Sequence, residues 1–271
     1  MDNRFAIATC FYPGVESTPE LWKTFIDGGV TDAEIDIPGG ISMDKMLATA
    51  ETLWKDLKAA GVAPTSIHLP FSRYLDVSVT DEAQREYVKA MQKILIKWAG
   101  EHEVGIAILH PSSEPIAEED RPARLAIAAA SIKELGEYAA ACGVTVAVED
   151  LPRTCLGNCG DDMLKLIGNG EFVGVGICFD INHLLKESHK DFVEKVGKYF
   201  ITTHFSDYDR LDEKHWFPGD GCIDWKELKE LLDSVDYKGR YLFELSNNKS
   251  PSLNRPYTPA ELIAKFKELT A

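Results

Sequence analysis

The chain has 271 residues, 45% of them hydrophobic and 27% charged, which is enough for a sizeable core and fits an ordinary globular protein. Its 29 basic and 44 acidic residues leave a net charge of −15 at pH 7, which argues against a binder of the nucleic-acid backbone. No apolar run reaches the ~20 residues of a membrane span, and the opening Met1-Asp2-Asn3-Arg4 lacks the apolar core of a signal peptide, so a cytoplasmic protein is expected.

Short apolar runs of strand character recur along the chain, at 5–9, 33–37, 65–69, 105–109, 145–148, 174–179, 200–204 and 240–245. Segments of helical period lie between them, the clearest at 43–60, 81–99 and 124–141. Thr18-Pro19 and Thr258-Pro259 each place a capping hydroxyl before a proline at a helix start. Gly28-Gly29, Gly61, Gly143 and Gly239 fall where helices should stop. Eight strand–helix units of about 34 residues each match a (β/α)8 TIM barrel of the α/β class. An open doubly wound sheet would want a glycine-rich loop after its first strand, and Cys10-Phe11-Tyr12-Pro13-Gly14 has none. No linker or composition break divides residues 1–271, so a single domain is expected. The six cysteines are read as reduced thiols; Cys155 and Cys159, four apart, lack the second pair that a structural zinc site needs.

Ionisable residues gather where the strands run out, which in a barrel is the catalytic face. The third run ends at His68, the fourth at His110, the fifth at Glu149-Asp150, the sixth at Asp180 with His183 beyond it, the seventh at His204 and the eighth at Glu244. His215 lies in the long loop after the seventh run. Charged groups directly after apolar residues are costly unless they are paired or bind metal. Glu149, Asp180, His204 and Glu244 offer three carboxylates, one imidazole and no thiolate. That set suits Mn²⁺, Mg²⁺, Co²⁺ or Zn²⁺ with positions left open for a substrate. Cys178, two before Asp180, shares its facing and is read as a core thiol.

These motifs resemble the xylose-isomerase-like TIM-barrel superfamily over nearly the whole chain: Val148-Glu149, Asp180-x-x-His183, His204-x-x-Asp207, His215-x-x-Pro218-Gly219-x-Gly221 and Phe243-Glu244. The superfamily includes sugar isomerases, ketose 3-epimerases, inosose dehydratases and the endonuclease IV group. Similarity to the ketose 3-epimerases implies a divalent metal on Glu149, Asp180, His204 and Glu244. It implies Glu149 and Glu244 as the catalytic pair that removes and returns a proton, and His183 and Arg210 as substrate contacts. His68, His110 and His215 are further substrate-binding candidates. Similarity to the endonuclease IV group implies instead nine ligands for three zinc ions: His68, His110, Glu149, Asp180, His183, His204, Glu213, His215 and Glu244. The run Asp150-Leu151-Pro152-Arg153 departs from that group's pattern.

The resulting expectation is a metal-dependent isomerase or epimerase of a sugar or sugar phosphate, with one divalent ion or more, and no nucleic-acid or membrane partner. A dehydratase on the same site, a multi-zinc phosphodiesterase and a non-enzymatic sugar-binding protein are the alternatives. Phe11, Tyr12, Trp216 and Phe217 either wall the sugar or anchor loops. Arg73, Arg153 and Lys186 are either phosphate ligands or surface charges. Nothing in the sequence fixes the oligomeric state, so a homo-oligomer stays open.

Overall fold

The computed structural model describes residues 4–271. Met1, Asp2 and Asn3, on which the reading of the N-terminus rests, lie outside the described residues. Eight strands alternate with eight α-helices: β1 (Phe5–Ala8), α1 (Pro19–Asp27), β2 (Asp32–Asp36), α2 (Met43–Ala60), β3 (Ala63–His68), α3 (Glu82–Glu101), β4 (Ile106–Leu109), α4 (Arg121–Ala141), β5 (Thr145–Glu149), α5 (Gly160–Leu166), β6 (Val175–Asp180), α6 (His189–Val196), β7 (Phe200–His204), α7 (Trp225–Ser234), β8 (Tyr241–Phe243) and α8 (Pro259–Leu269). All ladders are parallel, in the order β7-β6-β5-β4-β3-β2-β1-β8.

The ring closes between β7 and β8 by a single parallel bridge, Phe205 to Phe243. Phe205 N–H donates to Leu242 O at 2.7 Å, and Glu244 N–H to Phe205 O at 3.2 Å. Lower down, the Thr203 hydroxyl takes the place of ladder bonds: it donates to Arg240 O at 3.0 Å and accepts from Leu242 N–H at 3.4 Å. The chain is thus a (β/α)8 barrel, as its alternation predicts.

Local chemistry sets the element ends. Thr18 accepts from Leu21 N–H, and Thr258 forms a reciprocal box with Glu261, each just before a proline. Gly61 ends α2 in the left-handed region at φ 85°. Outward residues such as Ile35, Ile67, Val148 and Phe179 join the core between sheet and helices. Inside the barrel are small plugs, Ala6, Ala8 and Leu242 in one and Ile108, Ala147 and Cys178 in another. The strand β2 departs from the all-apolar pattern: Asp32, Glu34 and Asp36 share the face opposite Ala33 and Ile35, so the barrel interior carries an acidic column. Among the described residues, no helix is long and apolar enough to cross a membrane.

Candidate metal centre and active site

Parallel register carries the strand ends to one rim. Glu149 stands abreast of Cys178, and Asp180 abreast of His204. Glu149 is the hub. Its Oε1 lies 3.0 Å from His204 Nδ1, and its Oε2 lies 3.2 Å from His68 Nε2 and 3.0 Å from His110 Nε2. Glu244 Oε2 reaches to 3.5 Å from His204 Nδ1. Ligand atoms of Glu149, Asp180, His204 and Glu244 all lie within 4.8 Å of one another. The same holds for His68, Glu149 and His204, and for a separate group, His183, Glu213 and His215.

Two observations test whether these residues fit a metal ion. Asp180 Oδ1 accepts from Asn182 N–H at 2.8 Å, but its buried Oδ2 has no hydrogen-bond partner. A bare, buried carboxylate oxygen is costly, and a cation would satisfy it. The histidines supply the second observation. Four of the five site histidines keep one ring nitrogen for the ionisable groups that converge here while the other donates to a fixed acceptor. His68 Nδ1 donates to Leu69 O (3.1 Å), His183 Nδ1 to Asp150 O (2.8 Å) and His215 Nδ1 to Glu244 O (3.1 Å). His204 is reversed: Nε2 donates to Glu34 Oε1 at 3.0 Å, and Nδ1 faces the cluster. Pinning of the second nitrogen is the usual arrangement around metal-ligating histidines. The donor set fits a hard or borderline divalent ion.

The electrostatics are those of a crowded acidic site. Burial opposes a charge on His68, yet its contact with Glu149 pushes its pKa up to about 10. Burial takes His110 down to about 4. Burial also raises Glu244 and brings Asp180 up to about 6. Glu149 is equally buried, but the His204 charge holds it well below the usual carboxylate range. Glu213, hydrogen-bonded by His183 Nε2 at 3.1 Å, falls to about 2.

A cavity of about 320 Å³ opens onto this rim. His110, Glu149, His183, Glu213, His215 and Glu244 line it, with Phe71 and Arg153. His68 is buried and lies outside that lining, at 3.2 Å from Glu149. Arg210, expected among the substrate contacts, is exposed and outside the cavity lining. The guanidinium that lines the cavity is Arg153, which binds Glu114 (2.7 Å), Asp212 and Glu213 (2.9 Å). Of the aromatic candidates, Phe11 is buried against Phe25 and Tyr257, Tyr12 bonds Thr24, and Phe217 packs edge-to-face with Tyr257. They anchor loops. The aromatic lining the cavity is Phe71, stacked on His110 at 3.7 Å. All six cysteines are free thiols; Cys178 is buried, and Cys155 lines the cavity.

Sequence reasoning missed Glu34 and Asp36. Glu34 is fully buried, and Asp36, raised by its burial, stands abreast of His68. The signal was present as two-residue spacing of acids in Asp32-Ala33-Glu34-Ile35-Asp36, one face of a strand.

The family described as xylose isomerase-like TIM barrel matches residues 29–269, and the chain belongs to it. Among solved structures, a D-tagatose 3-epimerase-like protein aligns with a TM-score of 0.78 at 21% identity, covering 98% of both chains. The D-psicose 3-epimerase of Clostridium cellulolyticum H10 aligns at 0.75 and 18% identity, covering 98% of this chain and 91% of that one. The 3-keto-D-glucoside 4-epimerase YcjR of E. coli aligns at 0.72 and 18%, covering 98% and 96%. At these identities the likeness is one of fold. A curated relative, the uncharacterized protein MJ1311 of Methanocaldococcus jannaschii, is 26% identical over 188 residues, 67% of this chain and 64% of its own length. That match leaves more than a third of the relative outside it.

Proposed function

We propose that the protein is a divalent-metal-dependent isomerase or epimerase of a small sugar. One observation carries this reading: Glu149, Asp180, His204 and Glu244, at the ends of four consecutive strands, converge within 4.8 Å on the rim of a sugar-sized cavity. The neighbouring folds named as sugar epimerases support it. A bound divalent ion would supply Lewis-acid polarisation of a substrate carbonyl. The chain's own groups do the rest. Glu149 comes from β5 and Glu244 from just beyond β8, so they approach a bound sugar from different sides of the ring. Glu244, with its side chain 20% exposed, faces the cavity and accepts a proton from the carbon next to the carbonyl. Glu149 is the second carboxylate of the pair. His183, His110 and His215 line the cavity and position substrate oxygens. Phe71 gives the sugar an apolar wall.

The test is solvent deuterium. Metal-loaded protein incubated with free ketoses in deuterated water should place deuterium next to the carbonyl. Glu244→Gln and Glu149→Gln should fold and lose at least 10²-fold in rate, because an amide cannot take the proton. No exchange with any ketose or ketose phosphate overturns the reading.

A second reading rests on the separate cluster His183, Glu213 and His215. With His68 and His110 at Glu149, it provides ligands for more than one ion, as a multi-zinc phosphodiesterase of the endonuclease IV type would require. The net charge of −15 disfavours DNA. Cleavage of DNA carrying an abasic site, lost in His110→Ala, would select this reading over the first.

A further inference from the structure

Glu34 has no place in the four-ligand set, yet it is among the most enclosed charged groups in the molecule. It sits on the inward face of β2 with no exposed surface. Its Oε1 accepts from His204 Nε2 at 3.0 Å, and its Oε2 accepts from the Ser66 hydroxyl at 2.7 Å. Ser66 stands abreast of Glu34 in the β2–β3 ladder, so the second contact follows from the register alone. Burying a carboxylate costs far more than burying an apolar side chain of its size. The barrel interior nearby shows the cheaper solution: Ala8, Ile108, Ala147 and Cys178. The cost needs a return, and the geometry indicates one. His68, His183 and His215 are each pinned by a backbone carbonyl. His204 alone among these four is pinned by a carboxylate, and it alone keeps Nδ1 off a backbone carbonyl, at 3.0 Å from Glu149 Oε1.

We infer that Glu34 is a positioning residue of the metal centre, holding His204 with Nε2 protonated so that Nδ1 is the ligand atom. The inference rests on the metal-centre reading above. A carboxylate in this place fixes the ring plane and tautomer. It also raises the basicity of the ligating nitrogen, which a carbonyl does more weakly. Ser66 in turn holds the rotamer of Glu34.

Metal binding tests this without turnover. Stripped wild-type protein is titrated with Co²⁺ alone, following its visible absorption bands and competition with a chelating dye. Glu34→Gln keeps an acceptor oxygen but loses the charge; its Co²⁺ affinity should fall 10- to 100-fold and its bands should shift. Ser66→Ala should weaken binding in the same direction and less. In Zn²⁺-loaded wild type with ¹⁵N-histidine, His204 should carry its proton on Nε2. Affinity of Glu34→Gln within twofold of wild type, or a His204 proton on Nδ1, overturns the inference and leaves the metal centre standing. Absence of Co²⁺ binding to wild type overturns both. Should Glu34→Gln fail to fold, Ser66→Ala and the nitrogen spectrum decide.

Discussion

His189 shows what a histidine outside the site does in this molecule. It opens α6, is buried against Phe179 and Tyr208, and donates Nε2–H to Ile181 O at 2.7 Å. Burial lowers its pKa to about 4, so the native state holds it neutral, whereas the unfolded chain protonates it near 6.5. Stability from this residue is therefore complete above pH 6.5. It is lost as the pH falls toward 4, because only the unfolded state takes up the proton. The loss amounts to about 3 kcal/mol. Urea unfolding at pH 7 and at pH 4.5 should show that dependence in the wild type, and His189→Gln should flatten it by on the order of 2 kcal/mol. Equal slopes for the two proteins would contradict the assignment. Position alone sets this residue apart from His68, His110 and His204, which end strand-like runs, since His189 follows no apolar strand.

The long connection from β7 to α7 is the element that brings Glu213 and His215 to the cavity, and one carboxylate holds it. Asp207, fully buried, accepts from the backbone N–H of Tyr208 (2.9 Å), Gly219 (2.8 Å) and Ile223 (3.2 Å), and from Trp225 Nε1 (3.1 Å). Its own N–H and carbonyl pair with Trp216. Gly221 closes the arrangement: a Cβ there would stand 2.2 Å from Tyr208 O and 2.3 Å from Asp207 Oδ1. Asp207→Asn turns an amide NH₂ toward donors and should cost on the order of 3 kcal/mol. Limited proteolysis should then cut within 209–222 before anywhere else in the variant. An unchanged digestion pattern would show that the loop is held by other contacts. The motif His204-x-x-Asp207 marked this residue in the sequence, but nothing in the spacing said that it gathers a loop. Arg210, three residues on, stands at φ 60° and is exposed. An offset along the chain does not encode the direction a loop takes after its strand. Arg153 reaches the cavity through partners on two other loops, Glu114 and Glu213.

At the scale of the whole barrel, the alternation of strands and helices was readable because every unit repeats one physical problem. Each strand is covered outside by a helix and inside by the other strands, so apolar runs and periodic segments must take turns. Ends of elements were less legible. The strand β3 begins at Ala63 rather than 65, and β8 stops at Phe243 rather than 245, because ladder partners decide where pairing begins and ends. The site was legible where one residue ends one strand, as at Glu149, Asp180 and His204. It was illegible where a partner lies far along the chain. Glu34 meets His204 across 170 positions, and the spacing of acids around 34 marks a strand face without indicating the partner it meets.

The seam between β7 and β8 is the thinnest part of the ring, one bridge and one threonine hydroxyl where other strand pairs have full ladders. His204 stands on one side of it and Glu244 on the other, 3.5 Å apart. A cation shared by these two side chains would act as a rivet through the weakest joint of the barrel. Strength of the fold and occupancy of the centre are then one quantity measured at two places. Amide hydrogen exchange should report this directly: adding Zn²⁺ to stripped protein should slow the Phe205 and Glu244 amides by tenfold or more, while Val146 and Ile177 in the continuous ladders change little. Equal slowing all round the barrel would mean that the joint is no weaker than its neighbours.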